Sequence, residues 1–422
     1  MTSLARDVAV VGVGYSQLSR AGEPEPLVLL LEAVKGALTD AGLSGTDVDG
    51  IFEYKFGPES PGAQDVARVL GVPDLAAFAD ILPTNPSGLG GVLAGVMAVA
   101  SGACETALVF RCLTRAAGHT GGVVDGPSTV AGRNQFLTPY GYLGGILVEM
   151  ALKKRRWMAE YSRAEEDFGH IAVNARRWSA LNPRAVLREP VTMDDYLSSR
   201  VVVEPLRLLD CDYPINGAVA TVITTAERAA DLRQPPVLVD AMSYGSGRGA
   251  DWTFNNDYLY GGTFDCADRL WRRSSVTLEN VDVAQVYDGF TSVTMSWIEA
   301  LGACGRGEFG DWIGDGSRIG PGGDFPMNTA GGQLAEGRLH GVSFLNEAAL
   351  QLRGQCGDRQ VPGARVAVVA SGLYPQCGAG GAPTPGGAPP PPRGGGGAHP
   401  PGAAPRPRER NPLPRASLPR TP

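Results

Sequence analysis

The chain has 422 residues, of which 43% are apolar and 19% charged, enough for a large core and two or three domain equivalents. Its net charge of −7 does not suit binding to nucleic-acid phosphates, and no apolar run reaches the roughly 18 residues of a membrane helix. Seven cysteines without CxxC spacing indicate reduced thiols, and four scattered histidines offer no zinc-binding pair. The first residues lack the pattern of a secretory signal. We therefore expect a cytoplasmic protein without a metal centre, a nucleic-acid partner or a membrane span.

Short apolar runs alternate with helical patterns up to about residue 375, which predicts α/β layers. The first half is predicted to contain strands at 8–14, 48–52 and 106–110 and helices at 27–41 and 89–101. Gly42 is expected to end the first helix. A long segment rich in Arg and Tyr, about 113–200, interrupts the alternation and predicts an inserted subdomain.

The alternation then resumes, with strands predicted at 218–224, 236–240, 283–287 and 364–370 and helices at 290–301 and 342–352. The similar order of elements indicates an internal duplication, with halves at 1–235 and 236–377, although no clear sequence repeat accompanies it. Residues 378–422 are rich in Pro and Gly and predict a disordered tail without a site. A natural linker and a frame-shifted terminus both fit this composition.

Two familiar patterns are weak evidence for a binding site. Gly12-Val13-Gly14 follows a strand, but Gln17 stands where a dinucleotide-binding fingerprint needs its third glycine. The run Lys153-Lys154-Arg155-Arg156 predicts a solvated helix face, with contact to a CoA phosphate as the less favoured reading.

Three other segments contain candidate functional residues. Thr84 to Gly91 forms a tight turn at the start of a small-residue helix, where backbone amides can face a ligand. We take Asn85, Ser87 and Gly88 of this turn as candidate substrate-binding residues.

The second segment is Val286 to Phe290, where Tyr287 projects from the end of a strand and Asp288 is placed to cap the next helix. We take Tyr287 and Asp288 as candidate catalytic residues. The third is the irregular loop from Asn328 to Gly341. Its candidate site residues are Asn328, Gly331, Gly332, Arg338 and His340.

Together with the stretch Glu204 to Cys211, these segments resemble the thiolase superfamily, in particular its lipid-transfer-protein (sterol carrier protein 2 type) branch. The resemblance covers about residues 5–375. It implies a five-layered αβαβα fold built from two similar α/β halves, with a loop subdomain inserted in the first half. It also implies a homodimer, which we expect to pair through the strand at 106–110.

The chain differs from thiolases at the positions of their catalytic residues. Asn85 stands where thiolases carry the nucleophilic Cys, Tyr287 and Asp288 replace an Asn-Glu pair, and Arg338 replaces a catalytic His. The second catalytic Cys falls at about Gln376 or Cys377. Because Asn85 cannot form an acyl-enzyme, ordinary thiolysis is not expected.

A Cys-less subgroup of the branch is similar in these positions: aldolases that cleave steroid-CoA side chains together with an OB-fold/zinc-ribbon partner of the DUF35 type. Tyr287 and His340 match its motifs, whereas Arg338 stands in place of a second Tyr. The resemblance implies retro-aldol cleavage of a β-hydroxyacyl-CoA without any cofactor other than the CoA thioester. Tyr287 would transfer the proton, with its pKa lowered by Arg338. His340 and the amides near Asn85 and Gly331-Gly332 would hold the enolate oxygen.

Two alternatives stay open at this point. The chain could be an acyltransferase with an atypical site, or a non-catalytic subunit that binds acyl-CoA or lipid.

Overall fold

The computed structural model describes residues 6–22, 24–55, 60–81, 89–114, 146–245 and 257–372, and the backbone of 376–382. Asn85, Ser87 and Gly88 lie outside the described residues. The strands are β1 (Val8–Tyr15), β2 (Gly50–Tyr54), β3 (Ala77–Ile81), β4 (Thr106–Thr114), β5 (Val201–Val203), β6 (Leu206–Arg207), β7 (Asn216–Thr225), β8 (Val237–Gly245), β9 (Val283–Val286), β10 (Ala367–Ser371) and β11 (Gln376–Ala382).

The helices follow the predicted patterns closely where sequence periodicity was clear. They are α1 (Pro26–Ala41), α2 (Ala63–Leu70), α3 (Leu89–Ser101), α4 (Ile146–Tyr161), α5 (Glu166–Ala180), α6 (Met193–Ser198), α7 (Ala226–Ala229), α8 (Thr263–Arg273), α9 (Thr291–Leu301), α10 (Phe309–Ile313), α11 (Gly332–Ala335) and α12 (Val342–Leu352). Gly42 ends α1 at φ 76° and Gly302 ends α9 at φ 93°, in the left-handed conformation that glycine adopts without strain.

Nine strands form one continuous sheet in the order β3-β2-β4-β7-β1-β8-β11-β10-β9. Neighbours among β3, β2 and β4 are parallel, as are β10 and β9, and the other pairs are antiparallel. Every residue of β7 and β10 is buried, which requires layers on both faces. Helices α1 and α2 cover one outer face, α8 and α9 cover the other, and α3 and α12 pack between the strands of the two halves. The predicted layered α/β architecture is confirmed.

The two halves repeat one connectivity. In the first, β1-α1-β2-α2-β3-α3-β4 is completed by β7; in the second, β8-α8-β9-α9 leads through Met327 to α12, β10 and β11. Met327 forms a parallel bridge with Ala284 of β9, as β3 pairs in parallel with β2. The division of the chain at residues 235 and 236 stays a prediction.

The repeat also has a short sequence signature, which our sequence analysis missed. Residues 48–54 and 281–287 both begin with Val-Asp and end with Tyr, and each run enters the equivalent strand, β2 or β9. Asp49 accepts hydrogen bonds of 2.7–3.0 Å from the two amides at the start of β4. Asp282 likewise accepts bonds of 2.8 and 3.0 Å from the two amides before β10. Tyr54 and Tyr287 therefore occupy equivalent positions.

The basic run on α4 is not a solvated face throughout. Lys154 is fully buried, with Nζ 2.8 Å from Asp210 Oδ2 and 2.9 Å from the hydroxyl of Tyr196, and Lys153 is 6% exposed. Only Arg155 and Arg156 face solvent, with carboxylate partners there. The unfavourable burial of a lone ammonium explains why Lys154 needs this carboxylate.

Two predictions are wrong: that the strand at 106–110 is available for dimer pairing, and that the disordered tail begins at residue 378. Strand β4 lies inside the sheet between β2 and β7, so residues 106–110 offer no edge for dimer pairing, and β3 is the edge strand of this half. Strand β11 continues to Ala382 and pairs with both β8 and β10, so the first residues after Gly378 belong to the sheet. Composition hid this strand because a central strand of Gly and Ala is specified by its neighbours and not by its own propensity.

Candidate active site

The site lies where the carboxyl ends of β2, β4 and β9 meet the loop between α11 and α12. Tyr54 ends β2, Arg111 lies near the end of β4, and Tyr287 follows β9. The loop contributes Arg338 and His340. Parallel strands of α/β sheets commonly place ligand-binding groups at this end.

Tyr287 is buried, with 4% of its surface exposed, and its amide donates to Ala370 O at 2.8 Å. Its ring packs against the backbone of Gly289, where a Cβ would stand 2.6 Å from Cε1, and lies near Gly341, where a Cβ would collide with Ser371. Burial raises the pKa of Tyr287 well above its ordinary value, and the negative charge of Asp212 adds to this increase. The side-chain amide of Gln333 and the charge of Arg338 act in the opposite direction but do not prevail. Arg338 lowers this pKa as expected, but burial outweighs it, so the pKa of Tyr287 is raised and the side chain is a neutral phenol.

Arg338 forms a buried ion pair with Asp212, with 3.3 Å between Arg338 Nη1 and Asp212 Oδ1. Burial raises the pKa of Asp212 to about 6, although the arginine lowers it. The amide of Asp212 also donates to Gly289 O at 3.1 Å, beside Tyr287. Sequence reasoning missed Asp212, which comes directly after the Glu204-to-Cys211 stretch that we singled out. An acidic residue bordering that stretch was the only available signal.

His340 has a left-handed backbone, φ 57°, which is unusual for a residue with a side chain. Its amide donates to Gln333 Oε1 at 2.8 Å, and its Nδ1 lies 3.2 Å from Arg111 Nε. An arginine can only donate, so Nδ1 accepts and the neutral imidazole carries its hydrogen on Nε2. This arrangement gives the His340 ring one hydrogen-bond donor, the Nε2–H.

Tyr54 and Arg111 complete the His340 side of the site, and sequence reasoning missed both. The rings of Tyr54 and His340 meet edge to face with centroids 5.7 Å apart. Arg111 is fully buried; its Cζ lies 5.5 Å from the Tyr54 ring centroid, and its Nη1 donates to Tyr54 O at 3.2 Å. The repeat that relates residue 54 to residue 287 was the signal that could have revealed Tyr54.

Asp288 does not cap the following helix, because Phe290 is the N-cap of α9 and makes no side-chain cap bond. Asp288 Oδ1 instead accepts the amide of Gln333 at 2.9 Å, at the start of α11. Burial raises the pKa of Asp288 to about 7, against the lowering effect of backbone hydrogen bonds. A Cβ on Gly332 would collide with Asp288 Oδ2, so this glycine allows the close approach. Asp288 is a structural anchor of the loop.

Asn328 and Gly331 also serve the scaffold. The side chain of Asn328 accepts from Val286 N at 2.7 Å and donates to Val286 O at 2.8 Å, which fixes the strand end that carries Tyr287. The amide of Gly331 donates to Asn328 O at 2.8 Å and is not directed at a substrate. The substrate-binding roles predicted for Asn328 and for the amide of Gly331 are therefore not supported. A glycine is needed at position 331 because a Cβ there would stand only 2.6 Å from Ser179 Cβ.

Two kinds of feature are absent from the described part of the chain. No helix there is both long and apolar enough to cross a membrane. No group of three or more His, Cys, Asp or Glu side chains there is arranged to hold a metal ion.

Known proteins resemble the chain in sequence and in fold. The model of the thiolase C-terminal domain-like family matches residues 251–373. The 17-hydroxy-3-oxo-4-pregnene-20-carboxyl-CoA lyase of Mycobacterium tuberculosis is 36% identical over 364 residues, 83% of this chain and 92% of the relative. A steroid side-chain-cleaving aldolase of Thermomonospora curvata is 34% identical over 371 residues, 84% of this chain and 92% of the relative.

A solved structure extends the similarity to the whole fold. The Ltp2-ChsH2(DUF35) aldolase has a TM-score of 0.82 and 32% identity, over 91% of this chain and 100% of that one. The match to the family model includes Tyr287, and each of these relatives covers more than four fifths of this chain. The chain therefore belongs to the thiolase superfamily, in the same branch as the steroid side-chain-cleaving aldolases.

Proposed function

We propose that the protein cleaves a β-hydroxyacyl-CoA thioester by a retro-aldol reaction and that its substrate carries a steroid-like ring system. The observation that carries the proposal is the pairing of a buried neutral phenol, Tyr287, with a histidine whose Nε2 donor is fixed by Arg111. The first supplies a proton-transfer group and the second an oxygen-stabilising donor, which are the two requirements of the reaction.

The bond changes need no oxidant, metal or cofactor beyond the CoA thioester. The β-hydroxyl loses its proton and becomes a carbonyl as the bond between Cα and Cβ breaks. The electron pair of that bond forms the thioester enolate, whose oxygen accepts from His340 Nε2. The enolate then takes a proton at Cα and leaves as a shorter acyl-CoA.

A neutral Tyr287 can accept the substrate proton only while it releases its own. Asp212 is the carboxylate whose charge acts most strongly on Tyr287, and it is ionised above a pH of about 6. We assign to Asp212 the acceptance of the phenol proton, with Arg338 holding the carboxylate in place at 3.3 Å.

Acyl transfer is less well supported because the site offers no reactive thiol among the described residues. Cys211 is the cysteine nearest to Asp212 in the chain, but burial raises its pKa and its thiol donates to Arg207 O at 3.5 Å. A thiolate is the nucleophile that such chemistry needs.

We also propose two assembly partners. The resemblance to the Ltp2-ChsH2(DUF35) aldolase supports a partner of the DUF35 type. A homodimer would pair through the edge strand β3, where Phe78 is 49% exposed and Met97 of the adjoining α3 is 53% exposed. Light scattering of the wild type and of Phe78→Asp tests the dimer: the variant is expected to be a monomer, and a monomeric wild type would contradict the proposal.

The test of function is direct. The full chain, alone and coexpressed with ChsH2, is incubated with 17-hydroxy-3-oxo-4-pregnene-20-carboxyl-CoA, and products are identified by mass spectrometry. We expect a 17-ketosteroid and propionyl-CoA. Acylated protein, or a thiolysis product on addition of free CoA, would instead support acyl transfer. Binding without turnover in both preparations would support a binding subunit.

A further inference from the structure

The two equivalent tyrosines of the duplicated fold face one site. Tyr54 ends β2 and Tyr287 follows β9, at the last position of the repeated Val-Asp-to-Tyr run. The negative charge of an ionised Tyr54 contributes to the raised pKa of Tyr287, so the two phenols are electrostatic neighbours. The site therefore contains two tyrosine hydroxyl groups, and the proposed function assigns a role only to that of Tyr287.

Their surroundings divide the site into two sides. Tyr287 lies with Gln333 and Asp212, on the side to which we assign the β-hydroxyl proton. Tyr54 lies against His340, 5.7 Å between ring centroids, on the side of the enolate oxygen. It is buried with 6% exposure, and the guanidinium of Arg111 lies over its ring.

The reaction itself needs a second proton transfer. After the carbon–carbon bond breaks, Cα must receive a proton, and Cα is bonded to the thioester carbon whose oxygen His340 holds. A donor beside His340 is close to this carbon, and it is a different group from the one that has just taken up the β-hydroxyl proton. Asp288 is less well placed because its carboxylate lies against the start of α11, where Oδ1 accepts the amide of Gln333 and Oδ2 lies against Gly332. The imidazole of His340 has only the one hydrogen, which is used at the oxygen.

We propose that Tyr54 is a catalytic residue that donates its hydroxyl proton to the enolate carbon. The electron pair of the enolate forms the new C–H bond, the phenolate of Tyr54 is left next to the Arg111 cation, and solvent restores its proton after the product leaves. An adjacent positive charge favours the ionised form of an acid, so Arg111 lowers the cost of this intermediate. The proposal rests on the retro-aldol function proposed above.

The experiment follows turnover of the same pregnene-20-carboxyl-CoA probe in D₂O by the full chain, with its partner where turnover requires it. The carbon that is protonated becomes C2 of propionyl-CoA, so delivery from one protein group gives a single enantiomer of the 2-deuterated product. We compare the wild type, Tyr54→Phe and Tyr287→Phe. The control is Tyr258→Phe, which removes a hydroxyl that donates to Glu149 O at 3.0 Å on α4.

Tyr54→Phe retains the ring that packs on His340 and removes only the donor. We expect at least about a hundredfold loss of turnover, the usual contribution of a general acid, and a racemic label in the residual product. Tyr287→Phe is expected to be equally slow but to keep the label stereospecific, and Tyr258→Phe to remain within about threefold of the wild type.

The outcomes separate the two proposals. A slow Tyr54→Phe variant with a single enantiomer, or full activity of that variant, would overturn the role of Tyr54 and leave the retro-aldol function intact. Failure of the wild type to cleave the probe or related β-hydroxyacyl-CoA thioesters would remove both.

Discussion

The ends of β2 and β9 show how a duplicated scaffold places two equivalent tyrosines in different surroundings. Both runs begin with Val-Asp, both aspartates hold the amides that lead into the next strand, and both end in a tyrosine. The neighbouring strand differs at the equivalent position, however. It presents Arg111 beside Tyr54 and Ser371 beside Tyr287, and both side chains are fully buried.

This difference teaches that the scaffold positions the phenols and that their neighbours determine what the phenols do. Arg111 is a fixed cation that orients His340. Ser371 is neutral, and its Oγ has no hydrogen-bond partner among the described residues. On the Tyr287 side the charge comes instead from Asp212. The following variants test this division of labour.

The largest effect is expected for Tyr287→Phe. The Phe ring keeps the packing on Gly289 and Gly341 but deletes the hydroxyl, so turnover of the pregnene-20-carboxyl-CoA probe should fall at least about a hundredfold. Steady-state kinetics measures the loss, and the melting temperature reports on folding. Turnover within about threefold of the wild type would refute the assignment of Tyr287.

The next largest effect concerns Asp212, which must be ionised to accept a proton. Because its pKa is about 6, kcat should fall as the pH drops through 6. Asp212→Asn should lower kcat at neutral pH by at least about tenfold and remove that acidic limb of the profile. A pH–rate profile from 5 to 8.5 checks both points. An unchanged acidic limb in the variant would show that another group produces it.

The equivalent positions 111 and 371 allow a matched pair of substitutions. The planar guanidinium of Arg111 donates to His340 Nδ1 and to Tyr54 O at the same time, which a lysine ammonium cannot reproduce. For Arg111→Lys we therefore expect kcat to fall about tenfold, which corresponds to the loss of one charge-assisted hydrogen bond. Ser371→Ala removes a hydroxyl without a protein partner and should leave kcat within about threefold. Similar kinetics for the two variants would contradict the asymmetry between the two strand ends.

The last prediction concerns stability and not catalysis. The pKa of Asp288 is about 7 in the folded protein and near 3.9 in an unfolded chain. Between these values the folded state binds a proton that the unfolded state has lost, so stability falls as the pH rises from about 4 to about 7. The slope from this group is at most about 1.4 kcal/mol per pH unit.

Asp288→Asn keeps an oxygen for the amide of Gln333 and cannot titrate, so the pH dependence of its unfolding should be flatter than that of the wild type. Urea unfolding at pH 5 and pH 7 measures the difference. Parallel stability curves for the two proteins would show that Asp288 is ionised throughout this range.

Several features followed from the sequence alone because their signals are local. The apolar periodicity of α1, with Gly42 behind it, located that helix to within one residue, and the buried strands β1 and β7 were visible as apolar runs. Tyr287 and His340 were found because each stands next to a recognisable strand end or glycine-rich loop. Asn85 stands where the resemblance to thiolases places the nucleophilic cysteine, so ordinary thiolysis was not expected from the sequence.

Tertiary structure decided the rest, because those features depend on contacts between distant segments. Tyr54, Arg111 and Asp212 reach the site from three separate elements, and no pattern within any one of them indicates an active-site role. Asp288 was expected to cap a helix because it directly precedes one in the chain. Its carboxylate instead accepts a hydrogen bond from the amide of Gln333 in α11. The charge of Arg338 was expected to lower the pKa of Tyr287, and the opposite net sign arises because burial of the phenol outweighs one cation already paired with Asp212. Sequence thus determined the scaffold and two candidate catalytic side chains, whereas desolvation and long-range packing determined their protonation and their neighbours.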